Sequence, residues 1–463
     1  MSRFVRASKF RHVFGTANKR EACYDDVRVS RTAIDSNIVK VNTRFMSVNW
    51  EIAGGGAFCV WPLEKPGRLP VDVPLYVGHT NTVLDTDFNP FNEYVIASCS
   101  EDCTVMVWNI PEGGLTENCS TPALTLSGHG RKVNNVLFHP TAENVLASSS
   151  FDLTVKLWDI EKGQQKVELV GHLEFVQSMS WNWTGSLLAT TSKDKKLRIF
   201  DVRSAKMVQE VEAHPGVKGS RCVWLGDSDR IATTGFSKTS DRQLAIWDYN
   251  NLTNPLKLEN LDTSSGVIMP FYDNDTNLLF LAGKGDGNIR YFEVVNDDPF
   301  IYYVSEYKSS EPQRGLGFLP KRGVNVNEIE VCRAFKVNTN MIEPISFKVP
   351  RKSDSFQADL FPDTIGDKAP LTADEFFDGK DAKPILISLE KGFVPSEKKE
   401  FVSQTVTKSP SIELEAMKIM SDKEVREAFH QQRKEIEELK NQIAQKDVTI
   451  RQLEIQLEAA KNK

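Results

Sequence analysis

Residues 144–159 read NVLASSSFDLTVKLWD, and this stretch contains the pattern that decides the fold. Two short runs rich in small and β-branched residues flank a turn at Asp152, and the second run ends at Trp158 and its following aspartate. Such a strand–turn–strand pattern predicts a β-hairpin. A Gly–His pair at Gly128 and His129 precedes the hairpin, so the repeating unit is longer than the hairpin itself.

The same arrangement occurs four times along the chain. In each copy a histidine precedes an aromatic residue by 28 to 33 positions, and an aspartate lies six positions before that aromatic. The histidines are His79, His129, His172 and His214; the aspartates are Asp102, Asp152, Asp194 and Asp241; the aromatics are Trp108, Trp158, Phe200 and Trp247. A period of 40 to 50 residues is typical of propeller blades. The combination resembles the WD repeat.

Weaker copies extend the pattern in both directions. Asp286 precedes Phe292 by six residues, residues 57–61 are interpreted as the closing strand of a first blade, and residues 343–347 as that of a last one. Blade ends then fall at 61, 108, 158, 200, 247, 292 and 347. We therefore predict an all-β fold, a seven-bladed WD-repeat β-propeller over residues 1–349. A closed ring of blades leaves no long sheet edge exposed.

The WD resemblance implies a hydrogen-bonded chain of His, Ser or Thr, turn Asp and Trp within a blade. The implied sets are His79, Ser98, Asp102 and Trp108; His129, Ser148, Asp152 and Trp158; and His172, Thr190 and Asp194, where Phe200 replaces the tryptophan. Trp247 belongs to a fourth blade. Buried polar groups without partners cost about 1–3 kcal/mol each. These residues are therefore expected to be structural rather than catalytic or metal-binding.

Composition limits the class of protein. The chain has 463 residues, 40% hydrophobic and 26% charged, which is typical of a soluble globular protein. The longest apolar runs, such as residues 278–282, are too short to span a bilayer. The first eleven residues carry four basic residues and no apolar core, so no export signal is expected. The seven cysteines are expected to be reduced thiols in the cytoplasm.

Charge is concentrated at the N-terminus. Residues 1–31 contain eight Lys and Arg against three acids, although the whole chain has a net charge of −6. A basic arm on an acidic body suits an acidic partner surface, and a solvated arm is the alternative. Residues 8–14 mix polar side chains with apolar Phe10, Val13 and Phe14, and we interpret this stretch as a half-buried strand. We expect this strand to close the ring by pairing with strands in residues 315–348.

The C-terminal quarter has three textures. Residues 350–394 carry isolated aromatics that are too frequent for a free linker, so this stretch is expected to be an extension packed on the propeller. Residues 395–420 are polar and predict a flexible linker. Residues 421–463 predict a short α-helical coiled coil that forms a homo-oligomer of undetermined order; a helix docked on its own propeller is the alternative. The oligomerisation residues are Phe429, Ile436, Leu439, Ile443, Ile450, Leu453 and Leu457. Nine basic and nine acidic residues from 422 onward argue against nucleic-acid binding.

No catalytic constellation is present in the sequence. The glycine-rich stretches 54–56 and 283–287 lie between predicted strands rather than before a helix, so they are interpreted as tight turns and not phosphate loops. The chain lacks paired-cysteine zinc spacing and the HExxH and GxSxG motifs. We expect no enzyme activity, no metal and no cofactor.

Several stretches resemble the coronin family. They are SKFRHVFG at 8–15, DVRVSR at 26–31, AGGGAF at 53–58, SEDCTVMVW at 100–108, RQLAIWD at 242–248, GKGD at 283–286, EPQRG at 311–315 and VPRKSD at 349–354. The resemblance covers residues 2 to about 395 and matches the order of parts, from basic arm to terminal coiled coil. One departure concerns the trimer signature of some coronin coiled coils, which Arg426, Arg433 and Arg451 do not match.

The resemblance implies a function in the actin cytoskeleton and cell cortex. Members bind and bundle filamentous actin and influence the actin-related-protein branching complex and filament turnover with cofilin. The family's filament-contacting basic residue corresponds to Arg28. Lys19, Arg20 and Arg31 are added from the arm's charge, which would also permit phosphoinositide contact. A general WD-repeat scaffold for signalling or membrane trafficking, without direct filament binding, is the alternative.

Overall fold

The structure, a computed structural model, describes residues 8–351 and 355–404. The chain divides into two units, Met1–Val406 and Thr407–Lys463, and the described residues belong to the first. The predicted coiled coil at 421–463, with its oligomerisation residues from Phe429 to Leu457, lies outside the described residues. So does the predicted linker beyond residue 404.

The described chain forms a seven-bladed β-propeller, as predicted. Blades are numbered along the chain. Blade 1 contains Val39–Val41, Phe45–Asn49 and Phe58–Pro62; blade 2 contains Val83–Phe88, Val95–Ser100, Thr104–Asn109 and Leu124–Ser127; blade 3 contains Val133–Phe138, Val145–Ser150, Val155–Asp159 and Gln164–Leu169. Blade 4 contains Val176–Trp181, Leu187–Ser192, Lys196–Asp201 and Lys206–Glu212; blade 5 contains Arg221–Trp224, Arg230–Phe236, Arg242–Asp248 and Lys257–Asp262. Blade 6 contains Ile268–Asp273, Leu278–Gly283, Asn288–Val294 and Ile301–Lys308; blade 7 contains Gly315–Phe318, Glu330–Val337 and Met341–Lys348.

Burial explains why the strands differ in composition. The second strand of blade 3, Val145–Ser150, is buried at every residue because neighbouring blades cover both of its faces. Its outer strand, Gln164–Leu169, is mostly exposed and correspondingly polar. The repeat aromatics lie in the third strand of their blades, and an outer fourth strand follows in blades 2 to 6. The predicted blade ends at 61, 108, 158, 200, 247, 292 and 347 therefore mark third strands, which is a correction.

The N-terminal arm closes the ring, but not with the predicted residues. Residues 9–12 form turns rather than a strand, and the strand Phe14–Ala17 pairs with residues 345–348 of blade 7. The strand Tyr24–Asp25 then pairs with blade 7 on one side and with Gly67–Arg68 on the other, which links blades 7 and 1. The expected pairing with the 315–348 region is thus present, three to six residues later in the arm than expected.

The propeller has two faces that differ in what covers them. The turn face carries the turns between the second and third strands of each blade, such as the turn at Asp152. The tail face carries the turns between the first and second strands, and the C-terminal extension runs along it. The extension contains Thr364–Ile365, Leu386–Ile387 and the helix α1, Ala373–Phe377. Phe376 of α1 packs on His139 of blade 3 with ring centroids 4.2 Å apart.

The start of the predicted flexible linker is corrected by the structure. Phe401 and Ser403 are buried on blades 2 and 3, and Phe401 joins the hydrophobic cluster between those blades. Residues up to Gln404 therefore belong to the packed extension. The polar composition of this stretch predicts a linker, but one buried apolar residue, Phe401, and a set of backbone hydrogen bonds attach it to the propeller.

Candidate functional site

Blades 2 and 3 contain the hydrogen-bonded chain that the WD resemblance implied. In blade 3, His129 Nδ1 lies 2.8 Å from Asp152 Oδ2, and His129 Nε2 lies 2.8 Å from Ser148 Oγ. Trp158 Nε1 donates to the same Ser148 oxygen at 2.8 Å. In blade 2 the corresponding distances for His79, Asp102, Ser98 and Trp108 are 2.8, 2.8 and 2.9 Å.

The electrostatics of these chains match a structural role. Burial opposes ionisation of Asp152, but hydrogen bonds from Thr154, His129 and Gly130 outweigh it and lower the pKa of the carboxyl to about 2. Burial lowers the pKa of His129, so the imidazole stays neutral near pH 7. A permanently ionised carboxylate beside a neutral, fully bonded imidazole holds two strands and a loop together. It provides no free base.

Blade 4 departs from the implied chain. His172 Nε2 lies 3.0 Å from Thr190 Oγ1, but Asp194 binds Arg198 instead, with Arg198 Nη2 at 2.6 Å from Asp194 Oδ2. Arg198 is fully buried. The implied link from His172 to Asp194 is therefore corrected. Phe200 lacks the tryptophan N–H, and the substitution at that position was the sequence signal for a changed blade.

In blade 5, the side-chain amide of Gln243 lies beside the histidine, where blades 2 and 3 have an aspartate. His214 Nε2 lies 2.9 Å from Thr233 Oγ1, which also accepts from Trp247 Nε1 at 2.8 Å. His214 Nδ1 lies 3.3 Å from Gln243 Oε1. Asp241, six residues before Trp247, accepts instead from Ser237 and Thr239 in its own turn. Spacing alone therefore assigned the wrong residue to this blade.

The arm places Arg28 and Arg31 on the rim of the turn face. The Arg28 carbonyl accepts from Glu51 N at 2.8 Å, and Ser30 N donates to Asn49 O at 2.9 Å, which binds the arm to blade 1. Arg31 N donates to Glu51 Oε2 at 2.8 Å. Both arginine residues are exposed. Backbone contacts thus hold the chain while both guanidinium groups face solvent.

The segment after Arg31 is anchored to blades 5 and 6. Asp35 forms ion pairs with Arg221 at 2.9 Å and Lys284 at 2.6 Å. Burial disfavours its charge, but these two cations outweigh burial and lower the pKa of the Asp35 carboxyl. The arm is therefore fixed on both sides of Arg28 and Arg31, by blade 7 before them and by blades 5 and 6 after them.

Lys19 and Arg20 lie elsewhere on the arm. Lys19 precedes the short 3-10 turn Arg20–Ala22, and Arg20 is its first residue. This turn lies beside the outer edge of blade 7, where Asn18 N donates to Pro344 O at 2.9 Å. Arg20 is 79% exposed and lies 3.4 Å from Asp25. Arg28 lies further along blade 7, because Val27 N donates to Asn340 O at the turn-face end of the blade, whereas Lys19 follows the contact at Pro344. The four predicted basic residues therefore form two groups rather than one cluster.

Sequence reasoning missed a neighbouring cation that neutralises one of the arm's acids. Arg68, on the strand that pairs with the arm, forms an ion pair with Asp26. Asp25 and Asp26 are thus both engaged by arginine residues, whereas the side chains of Arg28 and Arg31 have no ion-pair partner among residues 8–351 and 355–404. These two arginines are the arm's unneutralised cations on the turn face.

Other kinds of site are not found in the part of the chain that the structure describes. Among those residues, no group of His, Cys, Asp and Glu could hold a metal ion. All seven cysteines are free thiols. No helix within the described ranges is long and apolar enough to cross a membrane.

Comparison with known proteins identifies the family. A WD domain, G-beta repeat model matches residues 72–109, 120–159 and 163–201, a type of WD40 repeat matches 342–384, and a domain of unknown function, DUF1899, matches 3–68. Coronin-A of Dictyostelium discoideum is 49% identical over 453 residues, covering 98% of this chain and 100% of that protein. The chain belongs to the coronin family.

Two further matches support this coronin assignment. Coronin-like protein crn1 of Schizosaccharomyces pombe is 51% identical over 392 residues, which is 84% of this coronin but 65% of the yeast protein. The crystal structure of the WD40 domain from Toxoplasma gondii coronin has a TM-score of 0.78 and 34% identity, covering 82% of this chain and 97% of that one. Family membership implies an actin-regulating function, and the protein is not an enzyme.

Proposed function

We propose that this coronin binds filamentous actin through the turn-face end of its N-terminal arm and bundles the filaments it binds. The observation that carries the proposal is the pair of exposed, unneutralised guanidinium groups of Arg28 and Arg31, held by backbone bonds to blade 1. A pair of cations on a fixed backbone suits an acidic surface. Because the backbone is already ordered, binding costs little conformational entropy apart from that of the two arginine side chains.

The two faces favour the turn face for this contact. The extension occupies the tail face, where Lys162 pairs with Asp374 and Lys383 pairs with Asp227. Arg28 and Arg31 lie on the other face, which the extension does not cover in the described residues. Lys19 and Arg20, on the side of the ring, extend the basic surface toward the outer edge of blade 7.

Bundling follows from joining propellers. The predicted coiled coil at 421–463 would connect two or more copies through the residues from Phe429 to Leu457, and avidity would then cross-link filaments. We further propose regulation of the actin-related-protein branching complex and of filament turnover with cofilin, phosphoinositide contact through the same arm, and a location in the cytoplasm at the cell cortex. These finer functions rest on family membership.

Co-sedimentation with purified actin filaments tests the proposal. Arg28→Asp is expected to weaken binding about tenfold or more, equivalent to about 1.4 kcal/mol, without changing the melting temperature. Lys206→Asp is the matched control, because it makes the same charge change at an exposed position on the outer strand of blade 4. Raising salt from 50 to 300 mM should weaken wild-type binding, since exposed charge contacts are screened.

Three results would overturn the proposal. Wild-type protein that remains in the supernatant would favour a general WD-repeat scaffold for signalling or membrane trafficking. Equal losses from Arg28→Asp and Lys206→Asp would show that overall charge, and not the arm, determines binding. Removal of residues 421–463 should preserve sedimentation with single filaments and abolish bundling, and bundling by that variant would contradict the role of the coiled coil.

A further inference from the structure

The last described residues form a docked peptide on the tail face. We call residues 399–404, with the sequence KEFVSQ, the docking segment. Its side chains alternate in and out: Phe401 is 8% exposed, Val402 is 56% exposed and Ser403 is 0% exposed. Phe401 belongs to the hydrophobic cluster between blades 2 and 3, which also contains Val95, Trp158 and Ile160. The segment therefore lies flat on two blades with one large apolar anchor.

Side chains of blade 2 bind the backbone of the docking segment. Asn109 accepts from Phe401 N at 2.9 Å and donates through Nδ2 to Phe401 O at 2.8 Å, so one amide satisfies both backbone groups. Asn92 Nδ2 donates to Lys399 O at 2.7 Å. These bonds reproduce the pairing that a neighbouring strand would offer, and they are indifferent to most side chains of the segment.

Ser403 occupies the most confined position. Its Oγ donates to Glu161 O at 3.1 Å, and Gln404 N donates to the same carbonyl at 2.7 Å. Gln404 Nε2 also donates to Glu161 Oε1 at 3.1 Å, which places the Glu161 carboxylate against the segment. A phosphate on Ser403 Oγ would bring about two negative charges and three further oxygens into this fully buried position beside a carboxylate.

We propose that Ser403 is a phosphorylation site whose modification releases the docking segment. A protein kinase would transfer the γ-phosphoryl group of ATP to Ser403 Oγ. The new bond joins Oγ to phosphorus, the bond from phosphorus to the β–γ bridging oxygen breaks, ADP leaves, and the hydroxyl proton passes to the kinase base or to water. The docked hydroxyl is buried, so the kinase acts on the released segment and the phosphate then prevents redocking.

The docking segment is built for reversible release. It is held by one aromatic side chain and a few hydrogen bonds, and residues 397–400, which precede Phe401, are exposed. Local units with so few buried contacts open at free energies well below global unfolding. Release frees six residues, which is up to about 20 Å of extended chain. This inference does not depend on filament binding, because it concerns the segment and its groove alone.

Hydrogen exchange on the full chain tests the switch. Phosphoserine is installed at position 403 by codon suppression, and exchange is followed by mass spectrometry in peptides that cover residues 399–404. We expect the amides of Phe401 and Gln404 to exchange at least about tenfold faster than in the unmodified chain. The matched control places phosphoserine at position 402, one residue away on the outward side, where protection should persist. Unchanged exchange in the 403-modified chain, or equal release by both, would overturn the proposal.

Accessibility to kinases gives a second, independent readout. Phe401→Ala removes the anchor and should keep the segment released more of the time. When both chains are expressed in cultured eukaryotic cells, the fraction phosphorylated at Ser403 should be several times higher in Phe401→Ala than in wild type. Absence of phosphate on Ser403 in the Phe401→Ala chain would overturn the assignment of Ser403 as a modification site.

Discussion

Replacement of Asp152 by alanine tests whether the hydrogen-bonded chains hold the blades together. Asp152 accepts four hydrogen bonds: from His129 Nδ1 at 2.8 Å, from Gly130 N at 2.9 Å, from Thr154 N at 3.0 Å and from Thr154 Oγ1 at 2.7 Å. Asp152→Ala removes these bonds and leaves His129, which is buried, without its aspartate. The two backbone donors lie in loops near the surface and can bind water instead.

The expected magnitude follows from the buried partner. A hydrogen bond to a charged group contributes about 1.5–3 kcal/mol, and an unsatisfied buried donor costs about 1–3 kcal/mol, so we expect a loss of about 3 kcal/mol. With about 2.1 cal/mol/K of unfolding entropy per residue and roughly 400 folded residues, this corresponds to a melting temperature about 3–4 °C lower. Fluorescence-monitored thermal unfolding at pH 7 measures the shift.

Asp241→Ala is the matched control for this experiment. Both aspartates lie six residues before a blade tryptophan, but Asp241 bonds only within its own surface turn, and Gln243 takes its place beside His214. We expect Asp241→Ala to change the melting temperature by less than about 1 °C, as surface substitutions usually do. Equal shifts for the two variants, or a shift below 1 °C for Asp152→Ala, would refute the assignment of stability to the hydrogen-bonded chain.

Two further predictions concern ring closure and acid stability. Deletion of residues 1–14 removes Phe10 and Val13, both buried at the junction of blades 6 and 7, and should lower the melting temperature by about 5 °C or more for a loss of about 5 kcal/mol; an unchanged melting temperature would contradict a closing role for the arm. Burial lowers the pKa of His172 to about 4, so its neutral form contributes stability above pH 6.5 that is lost as pH falls toward 4. Between pH 7 and pH 4.5, the free energy of unfolding measured in urea should therefore fall by about 2–3 kcal/mol less in His172→Gln than in wild type. Equal losses in the two proteins would exclude this histidine as the cause.

The ring was predictable because its signal is distributed and redundant. Each blade repeats the same spacing, and a misassigned residue in one copy, such as Asp241, does not affect the others. The details that failed are those where a single side chain decides. Asp194 forms an ion pair with Arg198, which is buried four residues later on the next strand, and not a hydrogen bond with His172. The spacing between histidine, aspartate and aromatic residue does not indicate which of the two partners the aspartate will bind.

The arm shows a different reason for failure. Phe10 and Phe14 lie an even number of residues apart, as side chains on one face of a strand do, yet the buried pair is Phe10 and Val13, three residues apart. That spacing belongs to a turn, and Phe14 is 52% exposed at the start of the real strand. Because one arm contributes only one copy of its pattern, period 2 and period 3 could not be distinguished. The prediction for the docking segment was wrong for a similar reason, because a single phenylalanine in a polar stretch produces no hydrophobic periodicity.

Ring closure and the proposed filament contact share one segment of chain. The arm enters at the tail-face end of blade 7, where Phe14 pairs with Lys348, and leaves on the turn face, where Val27 N donates to Asn340 O and Arg28 follows. Deleting or unpairing the arm would therefore remove stability and the basic surface together, and a loss of filament binding in such a variant would not identify the contact. Only a change confined to an exposed side chain, such as Arg28→Asp, separates the two roles. Unchanged melting together with lost sedimentation is the combination that a purely structural arm does not permit.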